Sequence, residues 1–515
     1  MAWDEKYEIK YEEQKRKVIL AGGKERQEKQ HAKGKLTARE RMEFLFDDGQ
    51  FEEIEMHIQS RIDFDGIEKT HFPGDGVIAA YGKIKGVNVY AVSQDCTISG
   101  GAGGEMHVKK ICRTLELAIQ NRCPIIYICD SGGARIEEGI ISLSAYSRLF
   151  YLNTQASGLI LQIAAIMGNC AGGSSYSPAM CDFVFMVKKT SQFFITGPRV
   201  IMALTGESVT MEELGGAEIH SRYSGQAHFV CEDDKCCLSE IKTLLAYIVC
   251  PQIIYNNKER INYHAEGELI KDIVPEYKKK AYDVRHVIKK ISDNRDFLEV
   301  LSEFATNLVI GFCRLGGKTI GIIANQPQIK GGALDCDASD KCARFVRTCD
   351  CYDIPILVLE DVPGFYPGMV EEKKGVLRHG CKMLYAFAEA TVPKVTVIMR
   401  KAYGGAYCAM NSKALGADMV FAWPICEIAV MGADGAVDVM YHRQIEDAED
   451  AEEFRRQKIE KYEERYLTPY FAAACGMVDE IIMPEETREK VIKAFNSLEN
   501  KHVEGYNKKH GNIAL

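Results

Sequence analysis

Two glycine-rich segments hold the residues that could do chemistry. The first, NCAGGSSYS, contains Gly172 and Gly173, and the second, KAYGGAYCA, contains Gly404, Gly405 and Ala406. Each segment follows an apolar run typical of a β-strand and leads into small residues typical of a helix start. Glycine permits unusual φ values and close approach of a ligand, and the first N–H groups of a helix lack internal acceptors. Each segment could therefore form an oxyanion hole that stabilises an enolate or a tetrahedral oxyanion.

The alternative for each segment is a tight turn that only packs a helix against a strand. The two segments, however, occupy matching positions in a duplicated sequence. An offset of 231 residues relates 77–133 to 308–364 without a gap, and the offset becomes 232 at the glycine pairs. Matched residues include Gly100 with Gly331, Pro124 with Pro355, Asp130 with Asp361, and Gly133 with Gly364. A period this long indicates a duplicated domain, and the duplication favours the functional interpretation.

The elements that must position these turns are strands buried on both faces. Short apolar runs such as VIAAYGKI and PIIYICD alternate with helical stretches, which predicts an α/β fold with helices covering a sheet. The polar stretch 256–295 separates two homologous halves, which we place at 1–260 and 261–515. Thr37 and Glu40 predict a capping box at a helix start. A second charged stretch, 444–465, predicts a solvated helix with a Glu452–Arg456 pair.

Composition narrows the classes of function. The chain has 515 residues and a formal net charge of -9, which disfavours a nucleic-acid partner. Its 19 cysteines are scattered without a CxxC pair, so we expect reduced thiols, a cytoplasmic protein and no metal site. No secretory leader and no apolar run of membrane-spanning length is expected. Four histidines are interpreted as structural or surface residues, namely His107, His220, His228 and His379.

No nucleophile and general base can be assembled from motifs, because GxSxG, HExxH and the phosphate-loop pattern are all missing from the sequence. A catalyst built from two oxyanion holes needs a substrate or cofactor that carries its own base. Longer motifs then identify a resemblance. They include GKLTARER (34–41), DSGGARIEEG (130–139), TGPRVI (196–201), DVPGF (361–365) and AVMGADGAV (429–437).

With these motifs the chain resembles the carboxyltransferase subunit of biotin-dependent acyl-CoA carboxylases and decarboxylases, of the propionyl-CoA carboxylase β or methylmalonyl-CoA decarboxylase α type. The resemblance implies a duplicated crotonase-like (ClpP/crotonase) α/β fold. It implies that the first half binds the acyl-CoA and that N–H groups of Gly172 and Gly173 stabilise its enolate oxygen. It implies that the second half binds biotin, with its ureido oxygen on the N–H groups of Gly405 and Ala406.

In that family the freed biotin nitrogen serves as the base, which would explain why no protein base is found. The pocket residues implied by the matching motifs are Gly132, Gly133, Ala134, Gly404, Tyr407 and Cys408. At Cys408 propionyl-type carboxylases often carry aspartate, so the preferred acyl group and the direction, carboxylation or sodium-pumping decarboxylation, stay open. A cysteine that only fills space is the alternative.

The resemblance also implies partners. Biotin would arrive on a biotin carboxyl carrier protein or domain, and the chain would work with a biotin carboxylase or a membrane decarboxylase subunit, which could bring it to a membrane. Family members are ring-shaped homohexamers whose site lies between the first half of one subunit and the second half of another.

Two other interpretations remain from the sequence. A crotonase-type hydratase, isomerase or thioester hydrolase would use paired carboxylates, for which Glu105, Glu137 and Glu138 are candidates. A scaffold subunit would make the glycine pairs dispensable. The basic run, with Lys33, Lys35, Arg39 and Arg41, is either a contact for the CoA phosphates or a solvated helix start.

Overall fold

A computed structural model describes residues 4–61, 72–249, 269–504 and 508–514 of the chain. The chain forms two compact units, 1–250 and 251–515. The boundary that we place at 260/261 from the sequence lies outside the described residues.

The first unit is built on an eight-stranded sheet in its described part. Its strands are β1 (Phe51–Glu53), β2 (Val77–Ile84), β3 (Val87–Gln94), β4 (Ile125–Ser131), β5 (Gln162–Ala171), β6 (Phe183–Val187), β7 (Gln192–Phe194) and β8 (Phe229–Cys231). The strand order is β1-β2-β3-β4-β5-β6-β8, with β7 beside the end of β5. The first three strands pair antiparallel and the others parallel.

The second unit repeats this sheet. Its described strands are β9 (Phe297–Val300), β10 (Leu308–Leu315), β11 (Lys318–Asn325), β12 (Ile356–Val362), β13 (Lys394–Tyr403), β14 (Met419–Ala422), β15 (Glu427–Ala429) and β16 (Glu480–Ile481). The order is β9-β10-β11-β12-β13-β14-β16, with β15 beside the end of β13.

The register of the strands confirms the duplication residue by residue. Equivalent pairs are Tyr90–Ile125 and Gly321–Ile356, then Ile125–Gln162 and Ile356–Lys394, and then Ile163–Phe183 and Val395–Met419. These are the offsets of 231 and 232 read from the sequence, with a later insertion before β14. The predicted α/β fold with two similar halves is therefore present.

Helices cover the sheets. In the first unit they are Glu5–Leu20, Lys24–His31, Ala38–Leu45, Glu105–Asn121, Ile140–Ala156, Tyr176–Ala179, Pro198–Thr205, Met211–Gly215, Ala217–Arg222 and Asp234–Ile248. In the second they are Ile270–Ile273, Val284–Ile291, Cys336–Cys351, Met369–Lys374, Val376–Glu389, Gly404–Ala409, Ala433–Glu446, Ala451–Tyr466, Pro469–Ala474 and Thr487–Ser497. All seven residues of β4 and of β12 are buried, as expected for central strands of a parallel sheet.

A buried aspartate occupies the same place in each unit. Asp130 accepts a hydrogen bond from Arg41 at 3.2 Å and pairs with Lys35 at 2.6 Å. Asp361 accepts from Nε of Arg400 at 2.8 Å. The cations come from different parts of the chain, because Arg41 lies on an N-terminal helix whereas Arg400 lies on β13. The buried carboxylate is therefore common to both halves, whereas the cation that pairs with it comes from a different element in each half.

Three local predictions have different outcomes. The capping box is confirmed, because Glu40 N–H donates to the Thr37 hydroxyl and Thr37 N–H donates to the Glu40 carboxylate. The solvated helix is also present as Ala451–Tyr466, which buries no residue. The Glu452 pair is wrong, since Arg456 pairs with Glu453 at 2.6 Å and Glu460 at 3.3 Å. Spacing alone does not choose between neighbouring glutamates on one helix face.

The cysteines that the structure describes all carry free thiols. Across the described helices, none is long and apolar enough to cross a membrane. Within the same ranges, no group of three or more His, Cys, Asp or Glu side chains has a metal-binding arrangement.

Candidate active site

The two glycine turns share one backbone geometry. Each begins directly after an interior strand of its sheet, β5 or β13. Gly172 has φ 58° and Gly404 has φ 61°, in the left-handed region that favours glycine. A Cβ on Gly404 would also lie 3.2 Å from the carbonyl oxygen of Val430. Both positions therefore require glycine for the same reason, and they are related by the 232-residue offset.

Each turn places N–H groups at the start of a helix. A 3₁₀ turn, Gly172–Ser175, leads into helix Tyr176–Ala179 in the first unit, and helix Gly404–Ala409 begins directly in the second. The first N–H groups of a helix have no acceptor within it. In the first turn the hydroxyls of Ser174 and Ser175 donate to the carbonyls of Ala171 and Gly172, at 2.8 and 2.7 Å. The turn's carbonyls are thus occupied by its own side chains.

The first turn lies beside the loop that follows β4. Gly133 has φ 109°, and a Cβ on it would lie 2.9 Å from the carbonyl oxygen of Ala171. The N–H of Gly132 donates to the Gly100 carbonyl at 3.0 Å, and Ala134 forms a parallel bridge with Gly103. Of the three predicted pocket residues of this loop, Gly133 therefore lies against Ala171, the residue before Gly172, whereas Gly132 and Ala134 lie beside Gly100 and Gly103.

The second turn presents its residues in a different way. Gly405 and Cys408 are exposed, whereas Ala406 is buried and Tyr407 is half-buried. A Cβ on Gly405 would contact only the Phe365 ring, at 3.9 Å, so this position is open rather than packed. Burial, the charge of Glu360 and the Cys408 thiol raise the pKa of Tyr407 to about 12. The Tyr407 hydroxyl is therefore protonated at neutral pH, so Tyr407 does not act as a base there.

A cleft of about 1160 Å³ opens at the end of β13, beside Tyr403. Arg400, Lys401 and Lys278 are among its lining residues. Burial lowers the pKa of Lys401, and the charge of Arg400 lowers it further. Acidic side chains, among them Glu427 and Glu463, also line it. This cleft was not predicted from the sequence, although the Arg400-Lys401 pair shortly before the glycine turn was a signal for its cations.

The acidic candidates for paired-carboxylate chemistry have structural partners. Glu138 accepts from Arg135 at 2.8 Å and from the N–H of Glu105 at 2.5 Å. Glu105 pairs with Arg61 at 2.5 Å, and Glu137 is exposed. Because Glu138 and Glu105 are bound in this way, the structure gives no support to a hydratase-type carboxylate pair.

The basic run near the N-terminus is mostly internal. Lys35 and Arg41 are buried on Asp130, and Arg39 pairs with Glu53 at 2.6 Å. Only Lys33 is exposed. Both interpretations of this run, a CoA-phosphate contact and a solvated helix start, are therefore wrong for its buried members, because sequence composition does not reveal a distant buried carboxylate.

The four histidines lie in ordinary structural contacts. Fully buried His107 bonds the Asp75 carbonyl at 2.8 Å, and burial lowers its pKa to about 3. His220 bonds the Phe193 carbonyl at 2.5 Å, His228 accepts from the Val184 N–H at 3.1 Å, and His379 lies 2.9 Å from Asp340. The most buried histidine of the described segments is thus neutral across the physiological pH range.

Known proteins show which family has this geometry. A family model for the carboxyl transferase domain matches residues 29–513. Methylmalonyl-CoA decarboxylase subunit alpha of Propionigenium modestum is 48% identical over 511 residues, covering 98% of each chain. Propionyl-CoA carboxylase beta chain of Cereibacter sphaeroides is 47% identical over 511 residues, again covering 98% of each chain.

The fold has an equally close counterpart among solved structures. A transcarboxylase 12S crystal structure, described as a hexamer assembly with methylmalonyl-coenzyme A and methylmalonic acid bound, superimposes with a TM-score of 0.94. It is 47% identical and the match covers 100% of this chain and 99% of that one. The resemblance read from the motifs is confirmed: the chain is an enzyme that belongs to the carboxyl transferase family.

Proposed function

We propose that this chain is the carboxyltransferase subunit that moves a carboxyl group between carboxybiotin on a carrier protein and the α-carbon of a short-chain acyl-CoA. The observation that carries the proposal is the pair of glycine turns with the same left-handed φ at equivalent positions of the two units. Two oxyanion holes suit a reaction with two oxyanions, one on each reactant.

The first turn is assigned to the acyl-CoA. N–H groups of Gly172 and Gly173 would donate to the thioester oxygen as negative charge develops there. Removing a proton from the α-carbon creates an enolate, and preorganised donors stabilise it more than the neutral thioester. The loop with Gly132, Gly133 and Ala134 would form the adjoining wall, because it already packs on Ala171.

The second turn is assigned to biotin. Its exposed Gly405 leaves an open backbone surface, and N–H groups of Gly405 and Ala406 would hold the ureido oxygen. Gly404, Tyr407 and Cys408 would shape the pocket around it. Carboxybiotin supplies the carboxyl group and, after its departure, a nitrogen base. A base supplied by biotin fits the structure, because the side chains of Glu138, Glu105 and His107 are already engaged in structural contacts.

The acyl group is proposed to be propionyl, with methylmalonyl as its carboxylated form, because the named relatives act on these thioesters. A panel of acetyl-, propionyl-, butyryl- and crotonyl-CoA as acceptors tests this choice with carboxybiotin as the carboxyl donor. We expect carboxyl transfer with propionyl-CoA to have the highest kcat/KM. Hydration of crotonyl-CoA without any carboxyl transfer would contradict the proposal and favour the hydratase class.

Cys408 is proposed to tune this choice. Replacing it by aspartate places a charge on the exposed surface of helix Gly404–Ala409, in the pocket proposed for the reaction. We expect the ratio of kcat/KM between propionyl- and butyryl-CoA to change about tenfold, since pocket contacts of this kind are worth about 1–3 kcal/mol. Cys475→Asp, at another exposed cysteine of the same unit, is the control and should leave the ratio unchanged.

The partners follow from the same reaction. We propose a cytoplasmic homohexamer that receives biotin on a carboxyl carrier protein and works with either a biotin carboxylase or a membrane decarboxylase subunit. No metal in this chain is needed for the transfer. Mass determination of the complex isolated from its native cell tests the assembly: a monomer without a biotinylated partner would contradict it. The identity of the co-purifying subunit decides the direction.

A further inference from the structure

We propose that Glu360 is a positioning residue of the second glycine turn, which works only while this buried side chain is uncharged. This proposal rests on the proposed function, because it assumes that an oxyanion forms at Gly405 and Ala406. In this proposal Glu360 contacts neither reactant. It acts through the helix that carries the N–H donors of Gly405 and Ala406.

The first observation is that Glu360 is fully buried without a hydrogen-bond partner. It has no exposed surface, and neither carboxylate oxygen contacts a donor among the residues that the structure describes. Buried polar groups in proteins are nearly always paired, and those that are not call for an explanation. Other buried acids of the second unit follow the rule, since Asp361 has Arg400 and Asp335 has Lys330.

The second observation is the position of Glu360 directly behind the turn. It pairs in register with Ile398 on β13, the strand that continues to Tyr403 and then into the turn. Leu359 lies in the core cluster on one face of the sheet, so alternation puts Glu360 on the other face. That face belongs to the cluster around Ile398, against which Tyr407 packs.

An ionised Glu360 would interact electrostatically with the turn itself. It contributes to raising the pKa of Tyr407, on the helix of the turn, and of Cys426, just before β15. On its own strand the charge of Asp361 adds to burial in raising the pKa of Glu360. Asp361, Tyr407 and Cys426 are therefore titratable groups whose charge interacts with that of Glu360. No cation among them compensates an ionised Glu360, because Arg400 is already bonded to Asp361.

The residue behind the glycine turn of the first unit is also uncharged. The equivalent residue there, by the offset of 231, is Cys129, which is buried at the same place behind the first turn. A hydrogen bond with Cys170 and burial raise the pKa of the Cys129 thiol, so it is neutral. Both turns therefore have an uncharged side chain behind them, but only the second depends on a protonated acid for it.

Ionisation of Glu360 would place a negative charge behind donors that must stabilise another negative charge. The donors would then hold the oxyanion more weakly, although their geometry is unchanged. The kcat of carboxyl transfer should consequently decrease at alkaline pH. The KM for the acyl-CoA, which binds in the other unit, should change little. The Gly172 turn, with Cys129 behind it, should not share this sensitivity.

Glu360→Gln tests the proposal, because the amide has the size of the acid and cannot ionise. We expect kcat at pH 7 within about threefold of the parent enzyme and an alkaline limb of the kcat profile shifted upward by about one pH unit or more. Glu489→Gln, at an exposed glutamate of the same unit, should leave the profile unchanged. Superimposable profiles for the parent and Glu360→Gln would overturn the proposal.

A melting experiment separates this proposal from the proposed function. With a raised pKa in the folded state, Glu360 ionises first in the unfolded chain as pH rises, so it costs increasing stability above its usual pKa of 4.5. The Tm advantage of Glu360→Gln should therefore grow from pH 5 to pH 9, and Glu360→Leu should show the same trend. A constant difference would contradict a protonated Glu360. A growing difference with no carboxyl transfer in any variant would instead refute the proposed function.

Discussion

Replacing Gly405 by valine is expected to lower carboxyl transfer by about 10²–10³-fold while the protein stays folded. Gly405 is exposed, and a Cβ there has free space apart from the Phe365 ring, so the substitution should be tolerated by the fold. The branched side chain would nevertheless occupy the surface from which the N–H groups of the turn reach biotin. Loss of one oxyanion-hole donor costs roughly 3–4 kcal/mol of transition-state stabilisation.

Steady-state transfer between methylmalonyl-CoA and biotin measures this effect, with circular dichroism as the check on folding. Gly435→Val is the matched control, because Gly435 is an exposed helix glycine of the same unit. It should retain parental activity. Full transfer by Gly405→Val would show that the second oxyanion hole is misplaced. The equivalent substitution Gly173→Val should lower transfer by about the same 10²–10³-fold, because it obstructs the donors proposed for the acyl-CoA.

Replacing Asp361 by alanine is expected to cost about 3–5 kcal/mol in the free energy of unfolding of the second unit. Asp361 has no exposed surface, and it accepts from Arg400 at 2.8 Å and from the Tyr282 hydroxyl at 3.1 Å. Its loss would leave the Arg400 guanidinium buried without a counterion. The guanidinium also lies 4.6 Å from the Tyr282 ring centroid, which is a weaker compensation.

Urea denaturation followed by the fluorescence of Trp423, which is buried in the second unit, measures this cost in a Trp3→Phe background. The double variant Asp361→Ala/Arg400→Met should lose less stability than Asp361→Ala alone, because it removes the unpaired charge. Arg456→Ala, at an exposed pair of the same unit, should show no measurable change. A loss below about 1 kcal/mol for Asp361→Ala would mean that the pair is not a structural centre of the unit.

The duplication was the most predictable feature of the fold. Glycine and proline at turns hold their positions along the chain, so matches such as Pro124 with Pro355 revealed the offset that the strand register reproduces. The glycine turns could be located for the same reason, since a left-handed φ at Gly172 and Gly404 restricts the residue type. Local helix signals, such as the capping box at Thr37, were predictable because they involve neighbours in sequence.

Long-range partners could not be predicted in this way. Arg41 and Lys35 look like surface cations until the fold brings them to Asp130, about ninety residues along the chain. In the sequence Glu360 is one acidic residue among many. It is distinguished only by being buried without a hydrogen-bond partner in the described structure. The cleft beside Tyr403 likewise combines residues from β13 with the distant Lys278. Burial and pairing of charges depend on tertiary packing, which residue spacing does not encode.

We expect this chain alone to transfer a carboxyl group between a short acyl-CoA and biotin. The most direct measurement incubates the purified chain with carboxyl-labelled methylmalonyl-CoA and free biotin and follows the label. We predict that label appears in carboxybiotin with formation of propionyl-CoA, and that Gly173→Val and Gly405→Val each lower its rate about 10²–10³-fold. Absence of label transfer with every short acyl-CoA tested, using the folded assembled protein, would contradict the claim.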